Sequence, residues 1–231
     1  MAHNDTMKLN ADLTQRACEN MNELKWEDSP ANGVRRLRLE RDDDHPPVER
    51  VTTIVRFAPG SSFSDHVHGG GEELLVLEGI FSDQYADFPK GYYVRNPRGT
   101  GHAPRSKDGC TILVKLWQMR ADDQQQMAIN TNDPSLWQER EDGSSELPLF
   151  EADYESVCML KWPAGLKLEA HHFAGGVEYF VGAGGFRDQD GIYNQGTWLR
   201  LPPGSRQVIH ALEQCVVFRK SGHLLKPVPY A

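Results

Sequence analysis

Short stretches in which hydrophobic and polar residues partly alternate follow one another along the chain from Trp26 onward. Residues 34–39 and 51–57 are rich in β-branched side chains, and residues 110–117 form a third stretch of this kind. Glycine and proline separate such stretches at intervals of roughly 8–12 residues, which is typical of short strands joined by turns. The pattern predicts an all-β sandwich or barrel.

The beginning of the chain has a different composition. Residues 1–20 are polar, and residues 12–24 predict one short helix with Asp12 as its N-cap. No run of 18 apolar residues and no apolar leader occurs, so we expect neither a membrane span nor a secretory signal. The four cysteines form no CxxC pair, and we therefore expect a cytoplasmic protein without a disulfide framework.

Charge argues against a nucleic-acid partner. The 231 residues carry a formal net charge of −8, whereas binding to phosphates needs a basic surface. The densest basic run, at 35–41, contains four arginines and is followed at once by three aspartates. We interpret this run as a solvated strand face and turn.

The two halves of the chain resemble each other when the sequence is shifted by 105 residues. The aligned pairs include Gly60/Gly165, His66/His171, Gly79/Gly184, Gly91/Gly196, Arg95/Arg200, Pro97/Pro202, Gly99/Gly204 and Cys110/Cys215. Because turn glycines and prolines stay in register over about 50 positions, we infer a duplicated β domain. We expect a polar or helical segment at 1–20, a first domain at 21–120, a linker at 121–135 and a second domain at 136–231.

Three histidines and one glutamate of the first half lie on predicted strands beside glycine-rich turns: His66, His68, Glu72 and His102. His66 and His68 are two residues apart and so point to the same face of a strand. Imidazole and carboxylate groups suit metals such as Zn, Fe, Mn, Ni or Co. The pattern predicts a site for one divalent metal ion. Its affinity should fall as the pH drops through the range in which histidine titrates.

The second half has lost most of these groups. His68 aligns with Phe173, Glu72 with Val177 and His102 with Gln207. Three positions change together, as members of one site would, whereas the neighbouring Glu73 keeps a glutamate as its partner. This comparison selects Glu72 over Glu73 as a ligand and predicts that the second domain binds no metal.

These spacings resemble the two motifs of the cupin superfamily. The first motif corresponds to Gly60, His66, His68, Glu72 and Gly79, and the second to Gly91, Pro97, Gly99 and His102. Ser106 stands where the second motif usually ends in asparagine. The resemblance implies two tandem jelly-roll (double-stranded β-helix) barrels. The two halves can pair with each other, so we expect a monomeric bicupin or a homodimer.

More narrowly, HVHGGGEELLVLEGIFSDQ and GYYVRNPRGTGHAPRS resemble the cupin domain of ChrR-type anti-sigma factors. In that family the cupin domain binds a divalent metal, often zinc, and responds to an oxidative signal. A separate N-terminal helical domain holds the sigma factor, and residues 1–25 are too short for it. The resemblance implies a sensor or regulator with a small-molecule ligand or signal. It favours zinc over Fe, Mn or Ni as the bound metal. A sigma factor is a further candidate partner.

The superfamily also contains dioxygenases, which gives a second hypothesis. Four protein ligands leave two positions of a six-coordinate metal open, as an Fe(II)-dependent dioxygenase for a small diketone- or enediol-like substrate would need. Four ligands nearly fill a tetrahedral zinc site, which favours a structural or sensing role. A third hypothesis is a β scaffold whose pocket binds an effector without reaction.

Two arginines are candidates for binding an anionic substrate. Arg95 has a counterpart in the metal-free half, so we interpret it as structural. Arg105, three residues after His102, is the better functional candidate.

Overall fold

The computed structural model describes residues 7–45 and 48–225, and strands dominate it. The strands up to Asn130 are β1 (Lys8–Leu9), β2 (Ala17–Asn20), β3 (Glu27–Asp28), β4 (Val34–His45), β5 (Val48–Phe57), β6 (Ser61–Ser62), β7 (His66–Val67), β8 (Glu72–Ser82), β9 (Asp87–Pro89), β10 (Tyr92–Asn96), β11 (Gly101–His102), β12 (Arg105–Ser106), β13 (Cys110–Leu116) and β14 (Met127–Asn130). After one 3-10 turn at Pro134–Leu136 come β15 (Gln138–Glu139), β16 (Ser145–Glu151), β17 (Ser156–Trp162), β18 (Lys167–Phe173), β19 (Val177–Ala183), β20 (Gly185–Arg187), β21 (Ile192–Asn194), β22 (Thr197–Leu201), β23 (Ser205–Ala211) and β24 (Cys215–Ser221).

The described residues divide into two units with one topology. The first unit comprises residues 7–11, 25–45 and 48–132, and the second comprises 12–24 and 133–225. The main sheet of the first unit has the strand order β1-β4-β5-β13-β8-β10-β14, and that of the second unit has β15-β16-β17-β24-β19-β22-β2. Strands β5, β8, β10 and β13 therefore occupy the places of β17, β19, β22 and β24. The repeat inferred from the sequence is a repeat of the fold.

Two equivalent glycines show how closely the copies match. Gly79 and Gly184 both adopt a φ of 69°. A Cβ atom would lie 2.1 Å from Gly109 O in the first unit and 2.0 Å from Gln214 O in the second. Both turns therefore need glycine for the same two reasons, a left-handed backbone and a close approach of the neighbouring chain.

Each unit has its own hydrophobic core. In the first unit the core is made largely by alternate residues of β5, β8, β10 and β13, among them Phe57, Val76, Val94 and Ile112. In the second unit the core is more aromatic and includes Trp162, Phe173, Tyr179, Phe186 and Tyr193. Burial of these apolar side chains is the main driving force for folding each unit.

The short helix predicted over residues 12–24 is wrong. Asp12 accepts a hydrogen bond from Thr14 N at 2.9 Å, which closes a turn instead of starting a helix. The chain then forms β2, which pairs antiparallel with β22 and is the last strand of the main sheet of the second unit. The Asn20 side chain adds a hydrogen bond to Thr197 Oγ1 at 3.0 Å. Pairing with a free sheet edge has outweighed local helix preference.

The segment interpreted as a linker, 121–135, also contains a strand that extends a sheet. This strand, β14, pairs antiparallel with β10 and is the last strand of the main sheet of the first unit. Among the residues described, no helix is long and apolar enough to cross a membrane.

Candidate metal centre

Three imidazole rings meet in the first unit. His66 on β7 and His102 on β11 are directly opposed in the small antiparallel pair formed by these two strands. His68 follows β7, and backbone hydrogen bonds from His68 N to Thr100 O and from Gly99 N to His68 O hold it in place. The ring centroids are 4.7 to 5.2 Å apart. One ligand nitrogen from each ring lies within 4.8 Å of the others.

Hydrogen bonds at Nδ1 orient the three rings. His66 Nδ1 lies 2.9 Å from Ser64 O, a carbonyl that can only accept. His68 Nδ1 lies 3.0 Å from Thr100 Oγ1, and that hydroxyl donates its own proton to Pro97 O. These partners place the proton on Nδ1 and leave the Nε2 lone pair available, as a metal ligand requires.

The inward-facing nitrogens lack hydrogen-bond partners. His68 Nε2 and His102 Nε2 are buried and make no hydrogen bond. Glu72 Oε2 lies 3.5 Å from the first and 3.4 Å from the second. The same oxygen accepts a hydrogen bond from Asn96 Nδ2 at 3.1 Å. Buried polar atoms are seldom left unpaired, so two such nitrogens beside a carboxylate are the arrangement expected where a cation binds.

Protonation of the cluster differs from that of free side chains. Burial, together with the neighbouring His102 and His66, lowers the pKa of His68 to about 3. Burial also lowers the pKa of His102, against the opposing hydrogen bond to Asp83. Burial raises the pKa of Glu72 to about 7, although its hydrogen bond to Asn96 opposes this shift. His68 is therefore neutral well below the usual histidine range, and a proton on Glu72 competes with a metal near neutral pH.

Asp83 is a site residue that sequence reasoning missed. Its Oδ2 lies 3.3 Å from His102 Nδ1. In the second unit the equivalent Asp188 accepts a hydrogen bond from Gln207, the residue that replaces His102, at 2.8 Å. The alignment of the two halves pairs Asp83 with Asp188, and this retained aspartate was the sequence feature that could have identified Asp83. The contact itself becomes visible only once the strands are placed.

The glycine run 69–71 fits against one side chain. A Cβ atom on Gly69 would lie 2.7 Å from the Trp117 ring, and one on Gly70 would lie 2.3 Å from it. Trp117 itself has a φ of 59°, which is rare for a bulky residue. The turn between His68 and Glu72 is therefore shaped by close packing against Trp117.

Glu73 lies on the opposite face of β8 from Glu72. Its Oε1 accepts a hydrogen bond from Tyr93 OH at 2.8 Å and lies 4.0 Å from Arg95 Nη1. Arg95 is fully buried and also pairs with Asp123. The geometry thus places Glu72, and not Glu73, beside the histidines, and it makes Arg95 part of a buried ion-pair network.

The equivalent place in the second unit is filled by other groups. Phe173 and Val177 are buried in the hydrophobic core there. Gln207 is buried and bonded to Asp188, and His171 is exposed. Within the described part of the chain, the histidine cluster of the first unit is the one group found with metal-ligand spacing.

A cavity of about 460 Å³ opens beside the histidine cluster. His66, His68 and Glu72 form part of its wall. Most of the remaining wall is apolar, from Val51, Val55, Phe57, Phe63, Phe81, Ile112, Val114, Leu116 and Trp117. A small organic molecule in this cavity would contact the candidate ligands directly.

Three arginines also line this cavity: Arg36, Arg38 and Arg41. The interpretation of run 35–41 as a solvated face is therefore wrong for these three residues, and only Arg35 is well exposed. Arg105, the arginine preferred from the sequence, is exposed and does not belong to the cavity wall.

The donor set fits a divalent transition metal. Three imidazoles and one carboxylate match the ligand preferences of Zn, Fe, Mn and Ni. The model for the ChrR cupin-like domain matches the sequence twice, at residues 14–120 and 124–225. The chain belongs to the ChrR cupin-like family. The resemblance inferred from the sequence motifs is thereby confirmed.

Solved structures share the fold of this ChrR cupin-like protein. A candidate dioxygenase from Nostoc punctiforme PCC 73102 superposes with a TM-score of 0.73 at 14% identity, covering 92% of this chain and 85% of that one. A candidate glyoxylate-induced protein from Pseudomonas aeruginosa gives 0.72 at 16% identity, covering 96% and 92%. The pirin YhhW from Escherichia coli, solved with nickel(II), gives 0.65 at 15% identity, covering 93% and 100%. No curated protein sequence matches the chain.

Proposed function

We propose that this ChrR cupin-like protein is a mononuclear metalloenzyme of the dioxygenase type. His66, His68, Glu72 and His102 would hold one divalent metal. The observation that carries the proposal is the cavity of about 460 Å³ with His66, His68 and Glu72 in its wall. A metal used only to stabilise the fold needs no room for an organic molecule beside its ligands.

The residues of the chain have distinct roles in this proposal. The three imidazoles offer Nε2, and Ser64 O, Thr100 Oγ1 and Asp83 Oδ2 hold the rings through Nδ1. A bound Fe(II) would supply Lewis acidity and one-electron chemistry toward a diketone or enediol. The apolar wall excludes water and so strengthens the electrostatic interactions within the site.

Two further considerations support the proposal. The fold is shared with a candidate dioxygenase and with a pirin solved with nickel(II), and this likeness supports a metal-binding role for the chain. All four cysteines are free thiols, and we infer a cytoplasmic protein because reducing compartments keep thiols free.

A regulatory protein is the second candidate function. The match to the ChrR cupin-like domain favours it, because that family resemblance implies a sensor that binds zinc. In this alternative the cavity would bind a signal molecule without turnover, and a partner protein such as a sigma factor would read the bound state.

Elemental analysis followed by an oxygen-uptake assay tests the proposal. The protein is purified without added metal, analysed, and then assayed on small diketones and enediols after Fe(II) is restored. We expect about one metal per chain, from the single ligand cluster, and oxygen consumption that depends on substrate. Metal without oxygen uptake would favour the sensor, whereas protein that binds no metal would contradict both candidates.

A further inference from the structure

We propose that Arg36, Arg38 and Arg41 on β4 bind the carboxylate of the molecule that occupies the cavity. The apolar body of this molecule would lie between the arginines and the metal centre. The inference rests on the proposed function, because it names the substrate class of the same cavity: organic monocarboxylates with an apolar body.

Strand register places the arginines on the cavity face of the main sheet. Strand β4 pairs with β5, β5 with β13, and β13 with β8. Three rows of opposed residues result: Arg41–Val51–Leu116–Glu72, Arg38–Thr53–Val114–Leu74 and Arg36–Val55–Ile112–Val76. The arginines thus form one edge of the same surface that carries the candidate ligand Glu72 at its other edge.

The spacing along a row indicates the size of the ligand. Arg41 and Glu72 are separated by three steps between neighbouring strands, roughly 14 Å along the sheet at about 4.8 Å per step. Val51 and Leu116 lie between them and are apolar. A ligand whose charged end meets the arginines must therefore carry an apolar segment to reach the histidine cluster.

The arginines are held apart from the exposed surface. Arg38 pairs with Glu27, its side chain is 14% exposed, and its Nε is buried without a hydrogen-bond partner. Arg41 pairs with Asp43 at 2.7 Å. Burial lowers the pKa of Arg38, and the positive charge of Arg41 lowers it further. An anion in the cavity would accept from the guanidinium groups and offset their repulsion.

Arg35 shows that not every arginine of β4 is shielded from solvent. Its side chain is 52% exposed and pairs with Asp28 at 3.2 Å. It also donates to Trp26 O at 2.9 Å. Arg35 is therefore a matched control, an arginine of the same strand that does not line the cavity.

The test compares octanoate with 1-octanol by isothermal titration calorimetry on the protein as purified. We expect octanoate to bind about ten-fold more tightly than 1-octanol, as a charge-assisted hydrogen bond would give. Arg38→Met and Arg41→Met should each reduce octanoate binding about ten-fold and leave 1-octanol binding unchanged. Arg35→Met should retain the preference for octanoate, and metal content should be equal in all variants.

Three results would overturn the inference. One is a preference for octanoate that survives both Arg38→Met and Arg41→Met. Another is an equal loss of affinity in Arg35→Met, which would indicate nonspecific charge. The third is a complete loss of octanoate binding after chelator treatment, because the carboxylate would then be held by the metal.

The arginine site and the proposed metalloenzyme can fail separately. Protein without metal that still prefers octanoate through Arg38 and Arg41 would sink the metalloenzyme and support the arginine site. Protein that binds metal and consumes oxygen but shows no arginine-dependent preference for octanoate would support the metalloenzyme and contradict the arginine site.

Discussion

Asp83 and His102 are joined by a contact of 3.3 Å between Asp83 Oδ2 and His102 Nδ1. The other carboxylate oxygen of Asp83 accepts hydrogen bonds from Tyr85 N at 2.8 Å and Ala86 N at 2.9 Å. Hydrogen bonds within its own turn therefore fix the carboxylate in the position from which it contacts the imidazole. Asp83 positions His102 and favours the tautomer whose Nε2 faces the centre.

Asp83→Asn should weaken metal binding. The amide oxygen can still accept from the turn, but the negative charge that makes His102 a better ligand is lost. Loss of such a partner typically lowers metal affinity by about 10–100-fold. Competition with a chelator measures the change. Asp188→Asn, the same substitution in the second unit, should leave affinity unchanged, and an equal effect of both would contradict the role of Asp83.

His102→Gln should remove the metal without unfolding the first unit. The second unit shows that this fold accepts glutamine at the equivalent place, since Gln207 Nε2 bonds to Asp188 at 2.8 Å. We expect elemental analysis to find little metal and circular dichroism to remain that of the parent. His171→Ala should keep full metal content. Full occupancy in His102→Gln would refute the assignment of this ligand.

The metal-ligand candidates could be predicted because their signal is local. The spacing of His66, His68 and Glu72 around a glycine-rich turn places them on one surface wherever the strands pair. The comparison of the two halves then selected Glu72 over Glu73 as a ligand, and the geometry places the two side chains on opposite faces of β8. The contact between Asp83 and His102 joins residues 19 positions apart and depends on strands that no periodicity identifies.

The arginine face of β4 could not be predicted, and the reason is a bulge. Strict alternation from Arg36 and Arg38 would continue to Glu40 on the same face. The register shifts between Arg38 and Glu40, which turns Glu40 to the opposite face and Arg41 to the cavity. Glu40 is fully buried there and pairs with Arg50 at 2.7 Å. A single inserted residue of this kind leaves no clear mark in the sequence.

Glu72→Gln should change how the stability of the metal-free protein depends on pH. Folded Glu72 holds its proton up to about pH 7, and the unfolded carboxyl ionises near 4.5, so this group makes stability fall as pH rises through that window. His68 is neutral down to about pH 3 when folded and titrates near 6.5 when unfolded, so it makes stability rise with pH. The two effects oppose each other between about pH 4.5 and 6.5.

Removing Glu72 leaves the histidine effect alone. The free energy of unfolding of Glu72→Gln should therefore rise with pH more steeply than that of the parent, by about 1.4 kcal/mol per pH unit in this window. Urea denaturation of chelator-treated protein at several pH values measures the slopes. At pH 8 the carboxyl is ionised in both states, so the two slopes should agree there. Parallel slopes at pH 4.5–6.5 would show that Glu72 is ionised in the folded protein.

The cysteines should differ sharply in reactivity. Burial raises the pKa of Cys158 and of Cys215 to about 12, so at pH 8 about one thiol in 10,000 is ionised at each. Cys18 is only half-buried. A disulfide exchange reagent should titrate Cys18 first in the folded protein and all four thiols after denaturation. In Cys18→Ser the fast phase should disappear, and its persistence would contradict the burial of the others.

Gly70→Ala should destabilise the first unit and weaken metal binding together. The new Cβ would lie 2.3 Å from the Trp117 ring and 2.5 Å from the Trp117 Cα, so a change of rotamer cannot relieve the contact. Overpacking of this kind typically costs about 1–3 kcal/mol, and the turn that would shift connects His68 to Glu72. Urea denaturation and chelator competition measure the two effects.

Gly99→Ala is the control, because its Cβ would meet nothing within 4 Å and only the φ of 84° opposes it. We expect that control to lose about 1 kcal/mol and to bind metal like the parent. Normal metal affinity in a destabilised Gly70→Ala would show that the turn and the ligands are independent.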